Sequence, residues 1–428
     1  MKHSRRGRRR KLAGIRLPLT AALVIFVLAG AYIAFHGIVG ADRDAPAKPA
    51  ASSKENAAPE PKADETVHLT IDCIGDVMMH TPQIKNMYGA DGAIDLSLYF
   101  EYIKEDVAAA DLALCNIETT FGGTLKGGGP ALIFSGPDEL ASAIAGAGFD
   151  VGITANNHML DSGYDGLLRT IKTIKGAGLQ VAGSRESPDE PNYLITEVKG
   201  IKVAVVAWTY ESGKAGDDNN RLLNGNPIPA QAKPLMNSYV AGSGDEADIS
   251  RSVEAARADG AQIVICYFHW GNEYQREPHP SQRQTAQIAA DAGADIIFAS
   301  HPHVLQTMET IGGPNGKQVP VYWSMGNYIS NQRQETLNNH YTEQGIIAKI
   351  GVDFNTGTNA ATNFTMSYMP LWVDRYNSGN RVIYTVIPLT EGYENNASLR
   401  NSGHLSRAKS ARAEIIGLLG EDIIWHNE

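Results

Sequence analysis

The chain has 428 residues, 43% of them hydrophobic and 20% charged, which gives room for one large domain with accessories and an ordinary globular core. Its formal net charge is −10, yet the first sixteen residues hold eight Lys or Arg and no acid, so the remainder carries −18. An acidic body argues against bulk electrostatic binding to nucleic acid, whose affinity comes largely from neutralising phosphates.

Residues 1–16 read as a basic cytoplasmic tail, a topology signal with anionic-lipid contact. From Leu17 to Val39 there is no Asp, Glu, Lys or Arg. That run reaches roughly 35 Å as a helix, against a hydrocarbon core of about 30 Å. The expectation is an uncleaved signal-anchor over 17–39, a single-pass span in the cell membrane with the main domain extracytoplasmic. A cleaved signal peptide, with Ala29-Gly30-Ala31 as its site, is the alternative. Residues 40–66 are poor in large apolar side chains and read as a flexible linker.

Val67 to Ile74 predicts a strand that runs into Gly75-Asp76-Val77-Met78-Met79-His80. Leu112 to Cys115 predicts a second, ending in Asn116-Ile117-Glu118, and Phe149 to Thr154 a third, ending in Asn156-Asn157-His158 and, a little further on, Asp161. Helices are expected over Pro137–Ala147 and Tyr164–Lys175, and a hairpin over Tyr193–Val198 and Ile201–Trp208. Glu211 to Asp248 reads as a long loop and Ile249–Ala258 as a helix. The buried strand Gln262–Phe268 ends in His269-Trp270-Gly271-Asn272-Glu273-Tyr274. After a helix over Ser281–Ala292, Asp295–Ser300 ends in His301-Pro302-His303, where extended backbone puts two imidazoles on one side. Further strands are expected at Val319–Ser324, Ile346–Phe354, Met366–Asp374 and Val382–Ile387, and a closing helix at Leu405–Leu419.

Strands alternating with helices predict an α/β fold with a partly parallel sheet, in which loops at the carboxyl ends of strands build the site. Cys73, Cys115 and Cys266 each sit in a strand-like run and read as small buried hydrophobes rather than as a disulfide set.

Five strands end in polar clusters: Asp76 with His80, Glu118, Asn157 with His158, His269, and His301 with His303. Taken singly, Asp76 could be a strand-end cap, Asn157 a turn residue and His269 a satisfied core histidine. Together, six or seven N/O donors exceed the four that one zinc ion needs and fit two divalent metal ions, Mn, Zn or Fe. Trp270, Tyr274 and Tyr328 could stack on a ligand or pack beneath a loop, and Arg276 and Arg283 could pair with an anion or sit on a solvated helix start.

The motifs just quoted, with His301-Pro302-His303-Val304-Leu305-Gln306 and Ser324-Met325-Gly326-Asn327-Tyr328, occur in one order over roughly Leu69 to Phe354. In this the chain resembles the CapA family, the bacterial poly-γ-glutamate capsule biosynthesis proteins of the metallophosphatase-like superfamily. The resemblance implies a calcineurin-like αββα sandwich over 67–394, followed by a helical tail at 395–428. It implies that Asp76 and His303 hold one metal, Glu118 bridges, and Asn157, His269 and His301 hold the other. His158 then matches the superfamily's general acid or oxyanion clamp, oriented by Asp161, although a helix N-cap accounts equally well for Asp161. Three residues separate Asp76 from His80, where the superfamily opens with Asp-x-His, and Glu118 stands at the place of its bridging Asp.

Three roles remain open on the sequence. The chain is expected to be an anchored subunit of a polyglutamate synthesis and export system, working with membrane subunits and an amide ligase. The alternatives are a freestanding metal-dependent phosphoesterase or hydrolase of the envelope and a non-catalytic module that holds the anionic polymer.

Overall fold

The computed structural model of the chain describes residues 65–421, except 90, 130–131 and 214–220. The chain divides into two units between Pro61 and Lys62, and everything described lies in the second. The expected membrane span at 17–39 lies outside the described residues; among those described, no helix is long and apolar enough to cross a membrane.

Two mixed sheets form the body. Across the first, the strands run Arg381–Pro388, Ala360–Ser378, Gln344–Asn355, Thr66–Val77, Leu112–Ile117, Val151–Ile153 and Gln180–Ala182, with Asn327–Ile329 beside Thr66–Val77. Across the second they run Ser238–Tyr239, Ile201–Tyr210, Ile263–His269, Ile296–Ser300, Gln318–Tyr322 and Met308–Gly312, and Leu194–Val198 pairs antiparallel with Ile201–Tyr210. The strands that end in polar clusters are parallel to one another within each sheet, although Thr66–Val77 is antiparallel to Gln344–Asn355 on its other side. Their carboxyl ends therefore open on one edge of the fold.

Strand alternation assigns the faces. Leu69, Ile71 and Cys73, Leu112 and Leu114, and Val151 and Ile153 join Val203, Val205, Ile263, Ile265 and Tyr267 in one core between the sheets. The intervening Ile74, Ala113, Cys115 and Ile117 turn outward, onto Leu140 and Ile144 of the helix Glu139–Gly146. On the second sheet Val264, Cys266 and Phe268 turn outward onto the helices Glu246–Ala258 and Pro280–Asp291. The result is a mixed α/β body in which each sheet has one face on the other sheet and one on helices. The three cysteines are buried and free.

Two segments differ from what the sequence predicts. Glu211 to Asp248 is not loop throughout: it carries the short ribbon Leu222–Leu223 with Asn226–Pro227, the strand Ser238–Tyr239, and the start of a helix at Glu246. Glu211, wholly buried, pairs with Arg221 and accepts from Ser238 Oγ at 2.7 Å, which explains how so polar a stretch is held. At the C-terminus, Ala408, Ala411, Ile415 and Leu419 of the helix Leu405–Leu419 join the same core as Tyr368 and Trp372. Arg407 holds the buried Glu343 at 2.7 Å, so this helix is a wall of the body rather than a separate tail.

Candidate metal centre

The inner rows of several strands continue past the core into the site. Leu112 and Leu114 lead at period two to Asn116 and Glu118, Val151 and Ile153 to Ala155 and Asn157, and Ile265 and Tyr267 to His269. In Thr66–Val77 the inward position after Cys73 is Gly75, where a Cβ would lie 1.9 Å from Gly326 O. Only glycine allows that approach, and Asp76 N donates to Gly326 O at 3.1 Å. A register irregularity between Ile74 and Asp76 then brings the carboxylate, not the glycine, to the centre.

Two groups of three donors result, Asp76 with Glu118 and His303, and Glu118 with His269 and His301, the donor atoms within each group lying within 4.8 Å of one another. Glu118 belongs to both. All five side chains are buried, none above 2% exposure. Asn157 Oδ1 lies 3.0 Å from His269 Nε2, which puts it beside the second group. Asp76 accepts from Asn116 Nδ2 at 2.8 Å and meets His303 Nδ1 at 3.1 Å, and Asn327 Oδ1 also lies 3.1 Å from that nitrogen.

His301 and His303 arrive by a route other than the expected strand alternation. The strand ends at Ser300, and both histidines have positive φ, +105° and +57°. Left-handed backbone at two non-glycine residues is strained, and strain of this kind gathers where a side chain must be aimed. The rings end 6.0 Å apart, one in each donor group.

The electrostatics suit a cation. Glu118 Oε1 lies 3.4 Å from His269 Nε2 and 3.9 Å from both His158 Nε2 and His303 Nε2. Neither oxygen of Glu118 makes a hydrogen bond, and the Nδ1 atoms of His269 and His301 are also buried without a partner. Burial, then the neighbouring Asp76, pushes the Glu118 carboxyl well above the ordinary range. Burial likewise lowers His269 to about 3 and holds His301 far below its usual value. For Asp76 burial acts upward, but the hydrogen bond and charge of His303 outweigh it and the carboxyl is lowered; His303, against the same burial, is raised by Asp76. A wholly buried carboxyl with no hydrogen-bond donor, beside the imidazoles of His269, His301 and His303, has the composition that suits a divalent cation with N/O preference.

His158 Nδ1 lies 2.8 Å from Asp161 Oδ2, and the same oxygen accepts from Phe134 N at 2.6 Å. Ser162, not Asp161, occupies the N-cap of the helix Gly163–Gly176, so of the two accounts of Asp161 the contact with His158 is the one realised. His80 belongs to neither donor group. Its Nδ1 accepts from Asn331 N at 3.2 Å, its backbone caps the helix Thr81–Asn86, and its ring meets Phe134 edge-on at 4.9 Å.

Among the aromatic residues, Trp270 is packed between Phe268 and Trp323, and Tyr328 donates to Tyr99 O at 2.6 Å. Tyr274 instead faces the site, its ring 6.1 Å from His303. Arg276 lies 4.0 Å over Tyr341 and Arg283 pairs with Glu309 at 2.7 Å. Asn116 steadies Asp76, Asn156 the 156–158 turn and Asn327 His303, and sequence reasoning assigned none of these roles, because two of the three partners lie 40 and 24 residues away. Phe134 and Tyr210, the latter 4.6 Å from His301, had no sequence signal.

Fold and site together define a mixed α/β protein with a candidate metal centre at the edge between two sheets. Residues 70–332 match the model of the family described as bacterial capsule synthesis protein PGA_cap, and the chain belongs to that family. It is 30% identical over 275 residues to the capsule biosynthesis protein CapA of Bacillus anthracis, a match covering 63% of this chain and 61% of that one. It is 28% identical over 270 residues to the PGA biosynthesis protein CapA of Bacillus subtilis, covering 62% of this chain and 64% of that one. The match thus spans less than two thirds of either relative. A crystal structure of a novel phosphatase from Mycoplasma pneumoniae superposes with a TM-score of 0.40 at 12% identity, covering 72% of this chain and 95% of that one.

Proposed function

We propose that the chain is an accessory protein of polyglutamate capsule synthesis, held at the membrane by residues 17–39, with a dinuclear metal centre of metallophosphatase type in its extracytoplasmic domain. The observation that carries the centre is Glu118, buried, shared by both donor groups and without a hydrogen-bond partner. Asp76 and His303 would hold one ion, Asn157, His269 and His301 the other, with Glu118 between them. A divalent pair supplies a lowered pKa for bound water and a clamp for a phosphoryl or acyl oxygen. Family membership and the names of the Bacillus relatives support the capsule role.

The chain's own residues favour a second reading, a metal-dependent hydrolase of an envelope ester or amide, through the His158–Asp161 contact. Asp161 accepts from Nδ1, which fixes the ring and leaves Nε2, 3.9 Å from Glu118, as the atom that holds or takes a proton. Deleting the gene tests the capsule role. Surface polyglutamate should be lost, restored by the wild-type chain and not by Glu118→Ala; polymer unchanged by the deletion contradicts the proposal.

A further inference from the structure

A cleft of about 220 Å³ opens over His158 and His303. One wall is built by Gly127, Gly128, Gly129, Leu132 and Phe134 of one hairpin, the other by Glu273, Tyr274, Asn331, Gln332, Thr336 and Leu337. Three features of its lining point one way. First, no Lys or Arg lines it among the described residues, and its one carboxylate besides the metal centre's own is the exposed Glu273. The arginines next to it in sequence face elsewhere, Arg276 over Tyr341 and Arg333 toward Glu343. Second, apart from Glu273 and the histidines the polar lining is uncharged, with the Asn331 and Gln332 amides and the glycine backbone of 127–129. Third, two of the five large apolar side chains exposed among the described residues stand at its mouth, Leu132 at 57% and Leu337 at 41%.

The Leu132 wall is fixed in place. Thr81 Oγ1 donates to Gly127 O at 3.0 Å, Phe134 N donates to Asp161, and Leu132 itself is held at φ +48°. A non-glycine residue kept in left-handed backbone at an exposed hairpin tip is a cost that a free loop relieves. Leu132 and Leu337 are exposed and line the same cleft, and exposed apolar side chains gathered at one cleft mark a surface that a ligand covers.

We propose that this cleft takes a phosphate with a single anionic head and an uncharged apolar tail, the tail lying between Leu132 and Leu337, and that it excludes polyanions. The placing of the head rests on the metal reading above; the tail preference rests on the cleft alone. Away from the metal centre, an anionic polymer would set successive charges against Glu273 and a lining without Lys or Arg among the described residues, so it could enter here only by an end.

The test titrates the full chain, equilibrated with Mn²⁺, with methyl, butyl and hexyl phosphate, and then adds poly-γ-glutamate as competitor. Affinity should rise at least tenfold from methyl to hexyl phosphate. Leu132→Ser and Leu337→Ser should flatten that rise while leaving methyl phosphate binding unchanged, which also shows that the variants fold. Poly-γ-glutamate should fail to displace hexyl phosphate. An affinity independent of tail length, displacement by the polymer, or no binding by any member of the series overturns the inference. Repeating the titration with a chelator judges the metal reading separately: methyl phosphate binding unchanged by metal removal refutes that reading, while the dependence on tail length still decides the inference.

Discussion

Replacing Glu118 by Gln is predicted to change stability in opposite directions with and without metal. Without metal, the buried carboxyl accepts no hydrogen bond, and burial followed by Asp76 raises its folded-state pKa well above the ordinary 4.5. The folded chain therefore binds this proton more tightly than the unfolded chain. Metal-free stability is then greatest below about pH 4.5 and falls as pH rises toward the folded-state value. At neutral pH the position costs on the order of 3–5 kcal/mol, whether the carboxyl is kept protonated or buried as a charge beside Asp76 without a hydrogen bond. Gln removes that penalty. With an unfolding entropy of about 2.1 cal/mol/K per residue, the unit 62–428 unfolds with roughly 0.8 kcal/mol/K, so Tm in chelator should rise by ~4–6 °C. With metal at a hundredfold over Kd, each ion stabilises the parent by about 2.7 kcal/mol, or roughly 3–4 °C, and Glu118→Gln forfeits most of it. Calorimetry in EDTA and in Mn²⁺ at pH 5, 7 and 8 reads both arms. A Gln variant less stable than the parent in EDTA, or ranked the same way in both buffers, refutes the reasoning.

Other outcomes follow from the same contacts. Gly75→Ala puts a Cβ 1.9 Å from Gly326 O, where backbone on both sides must move, so urea unfolding should show a loss of about 1–3 kcal/mol together with weaker metal uptake. In metal-free chain the His303–Asp76 pair contributes fully between about pH 3.8 and 6.5. That contribution is lost as pH rises through the raised value of His303 or falls through the lowered value of Asp76. Urea midpoints in EDTA should therefore be higher at pH 5 than at pH 8, and Asp76→Asn should narrow the difference. If the hydrolase reading holds, Asp161→Asn keeps metal content but lowers turnover of a generic phosphodiester by about 10²–10⁴-fold with a displaced pH profile, because it frees the His158 ring. Deleting 405–428 uncovers Tyr368 and Trp372 and should leave a chain that proteases cut rapidly, whereas a detachable tail would leave a resistant body.

Much of this architecture is legible in one sequence because it follows from local rules. Short continuous apolar runs mark Ile263–His269 and Leu112–Ile117 as buried strands, and parallel strands separated by helices must open their carboxyl ends on one edge. That is how Glu118, Asn157 and His269 can be grouped before any coordinates exist. What escapes is what non-local packing decides. The positive φ of His301 and His303 is imposed by surroundings distant in sequence, and an alternation argument reaches the right convergence for the wrong reason. His80 looks like a ligand by its nearness to Asp76, yet two more residues of chain carry it to Asn331 and Phe134. Nothing in the sequence around Leu132 shows that its hairpin folds back over His158. The helix Leu405–Leu419 was legible as a helix but not as a wall, since its small apolar stripe names no partner.

The measurement that bears most directly on the metal centre is elemental analysis of the purified full chain after dialysis, beside Glu118→Ala and His303→Ala. The account predicts about two divalent ions per chain, as in other two-metal sites. It predicts near-complete loss in Glu118→Ala, which both donor groups share, and loss of about one ion in His303→Ala, which serves only one of them. A parent chain without bound metal, or one whose metal content is untouched by Glu118→Ala, would contradict it.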